Sequence, residues 1–176
     1  LGWTGIRIPE EFGGLGLGHL ELCVIAEELG RFLAPVPYSS SVYLFTEAII
    51  NYGTDEIKKD ILPKLVSGEI VGTLGVTEDL HAPTKENINL NYVDGKITGK
   101  KIAVPDAGVA THAVIVAKSD KGINLQLVDL SSSGVAIEHQ ENIDESRGHF
   151  SISFENVQTK ILGCLLYTSP SPRDRS

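Results

Sequence analysis

The chain has 176 residues, with 15 Lys and Arg against 23 Asp and Glu and a formal net charge of −8. That length suits one ordinary domain or two small ones, and the acidic balance argues against the clustered basic footprint of a nucleic-acid binder. No run approaches eighteen apolar residues, so no transmembrane helix is expected, and two cysteines do not make a disulfide framework.

The chain contains no Met and begins at Leu1, so we read it as a fragment, with no secretory signal visible. Residues 164–176 break the preceding pattern and resemble the translation of a sequencing adapter, and they are set aside from fold reasoning. Gly163 is then the last native residue. The tail carries two Arg and one Asp, which leaves −9 on residues 1–163.

A short apolar segment, residues 3–8, leads into Pro9-Glu10-Glu11-Phe12-Gly13-Gly14-Leu15-Gly16-Leu17-Gly18. So many glycines put the backbone in conformations closed to a Cβ, or close against a neighbour. A phosphate cradle and a packing turn both answer that description. From Gly14 the spacing is G-x-G-x-G-H, which misplaces the third glycine of a dinucleotide fingerprint. Pro9 and two acids also suit a phosphate poorly, so the packing turn is favoured.

A helix is predicted over 19–33, where Leu22, Cys23, Ala26, Leu29 and Leu33 recur at steps of three and four as a buried stripe. Cys23, the one native cysteine, reads as a small core residue of that helix. Glu27 and Arg31 form an i,i+4 pair on the wetter side, worth about 0.3–0.5 kcal/mol. Pro35 and Pro37 stop the helix. Ser39, Ser40 and Ser41 offer capping hydroxyls to a second helix over 42–52, which Gly53 ends. Thr54 caps a third helix running through Val66, with Asp55 and Glu56 in its first turn. Pro63 should kink that helix or begin a new turn. No G-x-S-x-G elbow occurs, so the serine run is not read as a nucleophile.

After Gly68 the period changes. Segments 70–76, 88–93, 96–104, 113–117, 123–130, 134–138 and 150–154 read as strands, and Asp94-Gly95 is a two-residue hairpin turn. The expected fold is α+β: a helical segment over 1–68, then a small antiparallel β-barrel or sandwich over 69–163.

Residues 3–18, followed by Glu27-Glu28-Leu29-Gly30, resemble the acyl-CoA dehydrogenase family, in which Gly-Trp precedes Pro-Glu-Glu-aromatic-Gly-Gly-x-Gly and a helix carrying Glu-Glu-Leu. The likeness implies an N-terminal helical domain, a middle β-domain and a C-terminal four-helix bundle. This chain covers the end of the first and nearly all of the second, and the bundle is missing. Leu74-Gly75-Val76-Thr77-Glu78-Asp79 is similar to the strand end beside the flavin of FAD, which implies Leu74, Val76 and Thr77 as cofactor contacts. Donors along the N5/O4 edge of that ring stabilise its reduced form. In Gly99-Lys100-Lys101-Ile102-Ala103-Val104-Pro105-Asp106-Ala107, Ala103 stands where an aromatic stacks on the flavin, and Pro105 stands where a Thr bonds it. Both are cofactor-contact positions by analogy. Asp144-Glu145-Ser146-Arg147, then 150–154, Val157 and Leu162-Gly163, resembles the close of the β-domain. Asp144 and Arg147 read as a turn-fixing ion pair rather than as catalytic groups.

One loop departs from the family. Asp79-Leu80-His81-Ala82-Pro83-Thr84 stands in place of Gly-x-Gly-Ser-Asp, and Pro83 removes an N–H where a pyrophosphate needs bare amides. His19, His81, His112, His139 and His149 include no i,i+4 pair, and no Cys-x-x-Cys occurs, so no metal site is expected.

The resemblance implies FAD-dependent α,β-dehydrogenation of an acyl-CoA thioester. Its base is a carboxylate of the missing C-terminal domain, so no catalytic residue is expected here and the fragment should be inactive alone. The resemblance also implies a homo- or hetero-oligomer, in a bacterial cytoplasm or a mitochondrion. Ala103, Pro105 and the altered loop leave a second reading open: a non-catalytic partner subunit of a heteromeric enzyme, with lost flavin contacts.

Overall fold

The computed structural model describes residues 2–144 and 146–164; Glu145 and residues 165–176, nearly all of the suspected adapter tail, lie outside them. Two single 3-10 turns, Trp3–Gly5 and Glu10–Phe12, open the chain. Then come α1 (His19–Arg31), a π-helical segment Ser39–Thr46 running straight into α2 (Glu47–Tyr52), and α3 (Asp55–Ser67). The strands are β1 (Gly72–Gly75), β2 (Asn91–Val93), β3 (Lys96–Pro105), β4 (His112–Ser119), β5 (Gly122–Asp129), β6 (Val135–Gln140), β7 (His149–Gln158) and β8 (Lys160–Cys164). No described helix is long and apolar enough to cross a membrane.

The glycine stretch folds back on the segment before it. Leu15 N–H donates to Gly5 O, Gly16 N–H to Ile8 O and Leu17 N–H to Ile6 O, each at 2.9 Å. A Cβ on Gly14 would overlap the Ile8 carbonyl, so close backbone approach explains that glycine and the stretch is a packing turn.

The periodicity of α1 located the right helix but overstated its burial. Leu22 is buried, Ala26 and Leu29 are half-buried, and Cys23 and Leu33 are exposed. The helix rests on one narrow seam, with Leu22, Ile25 and Leu29 against Ile6, Tyr38 and Val42. An apolar stripe as wide as the sequence pattern needs neighbours on two sides, and this seam supplies one. Glu27 does reach Arg31, at 3.4 Å.

The serine run is not a cap. Ser41 N–H already donates to Pro37 O at 3.0 Å, so the helix starts before the serines, and no side chain caps the π-helical segment. Their hydroxyls staple the helical layer to the sheet instead. Ser40 Oγ donates to Asp106 Oδ2 at 2.6 Å, and Ser41 Oγ accepts from Gly72 N–H at 3.2 Å. Thr54 does cap α3, accepting from Ile57 N–H, and Gly68 closes that helix at φ 77°. The helix runs on through Pro63.

All seven expected strands form. The eighth, β8, was hidden because a single residue, Thr159, separates it from β7. Asp94 and Gly95 turn β2 into β3 with both φ positive, 48° and 81°, as a two-residue hairpin requires. The strand order is β6-β7-β3-β2-β4-β5-β8, with β1 on β4. Two pairings are parallel: β1 with β4, and the single β2–β4 pair Asn91–Lys118. The expected α+β fold is present, and of the expected barrel or sandwich the closed barrel is excluded: the sheet is mostly antiparallel, with β6 and β8 at the ends of the strand order. β1 and β2 take successive stretches of β4, residues 112–115 and 118.

Two apolar layers hold the structure. One lies between helices and sheet and joins Ile8, Phe45, Ile49 and Leu62 to Val114, Leu125 and Leu162. The other lies among the strands, around Ile97, Ile115, Val128, Ile152 and Phe154.

His112 opens β4 near Asp129, Lys64 and Asp60. Burial pulls its imidazole below the ordinary histidine value; Asp129 and Asp60 oppose that shift, and Lys64 and Lys160 reinforce it. A group whose folded value is depressed contributes stability fully above its unfolded value, near 6.5, and loses it as pH falls through the folded value. The urea midpoint should therefore drop from pH 6.5 toward pH 5, and His112→Gln should flatten that slope. An identical slope in the variant would place the proton uptake elsewhere.

Candidate functional site

β1 runs between β4 and the far end of β3. Thr73 Oγ1 donates to Pro105 O at 2.6 Å, and Ile102 N–H donates to Thr77 O at 2.8 Å. These bonds lay residues 74–77 beside residues 103–105, two stretches that the sequence marked separately. Alternation along the strand sends Thr73 and Gly75 inward. Thr73 is fully buried, and a Cβ on Gly75 would crowd Ile115 and Lys101. Leu74 and Val76 face the helical side. With Tyr43, Leu44, Glu47 and Val116 they line an open, mostly apolar cleft of about 260 Å³. Thr77, Ala103 and Pro105 are not in that lining; they sit at its end and on the neighbouring strand.

Lys101 is the feature the sequence did not disclose. Its side chain is fully buried, yet Nζ donates to Val76 O at 2.9 Å and to Glu78 Oε1 at 2.7 Å. Glu78 also accepts the N–H groups of Leu90 (3.0 Å) and Asn89 (2.8 Å). One ion pair thus ties the end of β1, the loop that follows it and β3 together. Burial pushes the Glu78 carboxyl up, but the Lys101 ammonium and the two amides outweigh it and hold it below the usual carboxylate range. Burial also lowers Lys101, against the pull of Glu78. The only signal available in the sequence was a lysine at an inward position of a strand.

At the end of β3, Ala103 lies at φ 52° and Asp106 at φ 54°, left-handed conformations uncommon for residues with a Cβ. Ala103 falls in the stretch where the pairing of β3 with β7 shifts register, and its N–H donates to Gln140 Oε1 at 2.7 Å. Asp106 Oδ2 accepts from Ser40 Oγ and from Arg147, through Nε at 3.0 Å and Nη2 at 2.5 Å. The expected Asp144–Arg147 pair is therefore corrected: Arg147 reaches across to β3, and Asp144 Oδ1 instead accepts the Ser146 N–H. Sequence distance hid this pair, since 41 residues separate Asp106 from Arg147.

At the strand end Leu74 and Val76 offer an apolar face to a flat ring system, and Thr77 follows them along the chain, outside that lining. That fits an isoalloxazine edge. The following loop does not fit a pyrophosphate. Residues 79–84 are exposed, and the His81 N–H is already donated to Asp79 Oδ1 at 2.7 Å, which puts a carboxylate where an anion would bind. Among the described residues no group of three or more His, Cys, Asp or Glu could hold a metal ion.

Residues 1–69 match the family model for the acyl-CoA dehydrogenase N-terminal domain. The mitochondrial isovaleryl-CoA dehydrogenase of Solanum tuberosum is 33% identical over 141 residues, covering 74% of this chain and 34% of that protein. The acryloyl-CoA reductase (NADH) of Anaerotignum propionicum is 32% identical over 149 residues, covering 78% and 38%. The chain thus spans about a third of the length of the curated relatives it matches. The solved structure of the steroid ACAD Tcur3481-Tcur3483 superposes with a TM-score of 0.81 at 30% identity, over 92% of this chain and 45% of that one. Motif order, strand-end geometry and these likenesses agree, and the chain belongs to the acyl-CoA dehydrogenase family.

Proposed function

We propose that this chain is the flavin side of an FAD-dependent acyl-CoA dehydrogenase that forms an α,β double bond in an acyl-CoA thioester. Residues 1–68 contribute the end of a helical domain and residues 69–163 the β-domain. The observation that carries this reading is the alignment of residues 74–77 with 103–105 by the Thr73–Pro105 and Thr77–Ile102 bonds. FAD, when bound, supplies the acceptor for the hydride leaving the β-carbon. Leu74 and Val76 form a floor that keeps water off the reacting face, Thr77 offers a hydroxyl at the ring edge, and the Lys101–Glu78 pair fixes the backbone carrying all three. No residue of this chain is assigned the removal of the α-proton, which needs a base within hydrogen-bond reach. The family pattern puts that base in a helical domain after the β-domain. The working assembly is an oligomer of like or unlike subunits, in a bacterial cytoplasm or a mitochondrion.

The complete protein, purified alone, should be yellow with near-stoichiometric FAD and should reduce an artificial acceptor in the presence of acyl-CoA. Residues 1–163 alone should show no turnover; measurable dehydrogenation by them would place the base within this chain. A second reading is favoured by the exposed Ala103, by Pro105 and by the occupied His81 N–H: a non-catalytic partner subunit. A colourless complete protein that takes up no added FAD would select it.

A further inference from the structure

The pairing of β3 with β7 carries one extra residue on β3. Lys101 pairs with Ile152 and Val104 with Phe150, so Ile102 and Ala103 together oppose Ser151 alone. A bulge of this kind bends its strand, re-aims the side chains on it and leaves one residue outside the ladder. Here Ala103 is at φ 52°, a conformation its Cβ disfavours. Its N–H donates to Gln140 Oε1 at 2.7 Å. Gln140 stands one strand further out, on β6: His149 of β7 pairs with Gln140 on one side and with Pro105 on the other. The glutamine side chain therefore spans β7 to hold a peptide of β3.

The preceding amide goes to another neighbour, since Ile102 N–H donates to Thr77 O at 2.8 Å. The bulge thus hangs between Gln140 and the strand end that carries Leu74, Val76 and Thr77. Ala103 is exposed, so packing does little to keep it left-handed and the Gln140 oxygen carries that task. Without such a partner an alanine would populate this conformation about a tenth of the time. A ligand that needs the conformation would then bind about tenfold more weakly.

Resting on the flavin reading above, we propose that Gln140 is a positioning residue for FAD: its side-chain oxygen holds the β3 bulge in the left-handed form against which the cofactor is seated. Titration of the complete protein with FAD, followed by flavin fluorescence, tests it. Gln140→Leu should weaken FAD about tenfold. Glycine takes positive φ about as readily as negative, so in combination with Ala103→Gly the same Gln140→Leu change should cost only about twofold. The bond is exposed, so the urea midpoint should stay near the parent's in each variant. Hydrogen exchange gives a readout independent of FAD: the amides of residues 102–104 should exchange faster in Gln140→Leu. Unchanged FAD affinity in Gln140→Leu, the same loss with and without Ala103→Gly, a loss matched by a fall in the urea midpoint, or unchanged exchange would overturn the proposal. A parent protein that binds no FAD would refute the flavin reading and this role with it, whereas a parent that binds FAD beside an unaffected Gln140→Leu refutes the role of Gln140 alone.

Discussion

Replacing Lys101 with Met is expected to cost about 3–5 kcal/mol of folding stability, the range for removing one partner of a buried ion pair. The Glu78 side chain is only 12% exposed and would keep its charge with two amide donors in place of three partners. The lost ammonium also bonds the Val76 carbonyl, so a backbone acceptor is orphaned in the same step. Urea unfolding at pH 7 measures the loss, and the Lys101→Met, Glu78→Gln double variant should recover much of it, because the uncompensated charge is then gone. The acid limb carries a second signature. Glu78 has a depressed folded value, so its contribution is complete above its unfolded value, near 4.5, and is lost as pH falls through the folded value. Without Lys101 the carboxyl rises toward ordinary values, and acid unfolding should begin nearer neutrality. A loss below about 1 kcal/mol would mean that the pair behaves as an exposed one.

Phe45→Ala should be comparably damaging, at about 3–5 kcal/mol. The ring is fully buried between helices and sheet, and it sits so close to the β1 backbone that a Cβ on Gly72 would overlap it. The converse change, Gly72→Ala, should therefore cost about 1–3 kcal/mol or more through overpacking. Combining it with Phe45→Leu should return part of that loss, since the smaller side chain vacates the space. If Gly72→Ala melted like the parent protein, the ring would not rest on the backbone as described. These variants report on the site too, because β1 is the strand that carries Leu74 and Val76.

What the sequence made legible was local. Asp94-Gly95, Thr54 and Gly68 act as their chemistry demands, since each effect is settled within a few residues. The strands were legible for the same reason, and the glycine turn was readable because wrong spacing excludes a phosphate cradle. Family likeness, rather than periodicity, singled out Leu74, Val76, Thr77, Ala103 and Pro105. Long-range pairings stayed hidden. Lys101 with Glu78, Asp106 with Arg147, and Ser40 with Asp106 each join residues 23 to 66 positions apart, and nothing local marks them. Cys23 and Leu33 were misjudged because a periodic stripe records which residues could be buried, while the number of neighbours decides which are.

The apolar layer that joins Ile8 to Leu162 also governs how the chain can be made. Phe45, Ile49 and Leu62 leave the ribosome long before Val114, Leu125 and Leu162, and β1 must wait for residues 112–115 before it has a partner. At common elongation rates that interval is on the order of ten seconds. Through it the nascent helical half shows an unfinished apolar face, the kind of surface that chaperones hold. A message truncated before the codon for Leu162 would release a protease substrate rather than a folded half, because the opening and closing stretches of this layer complete the same core.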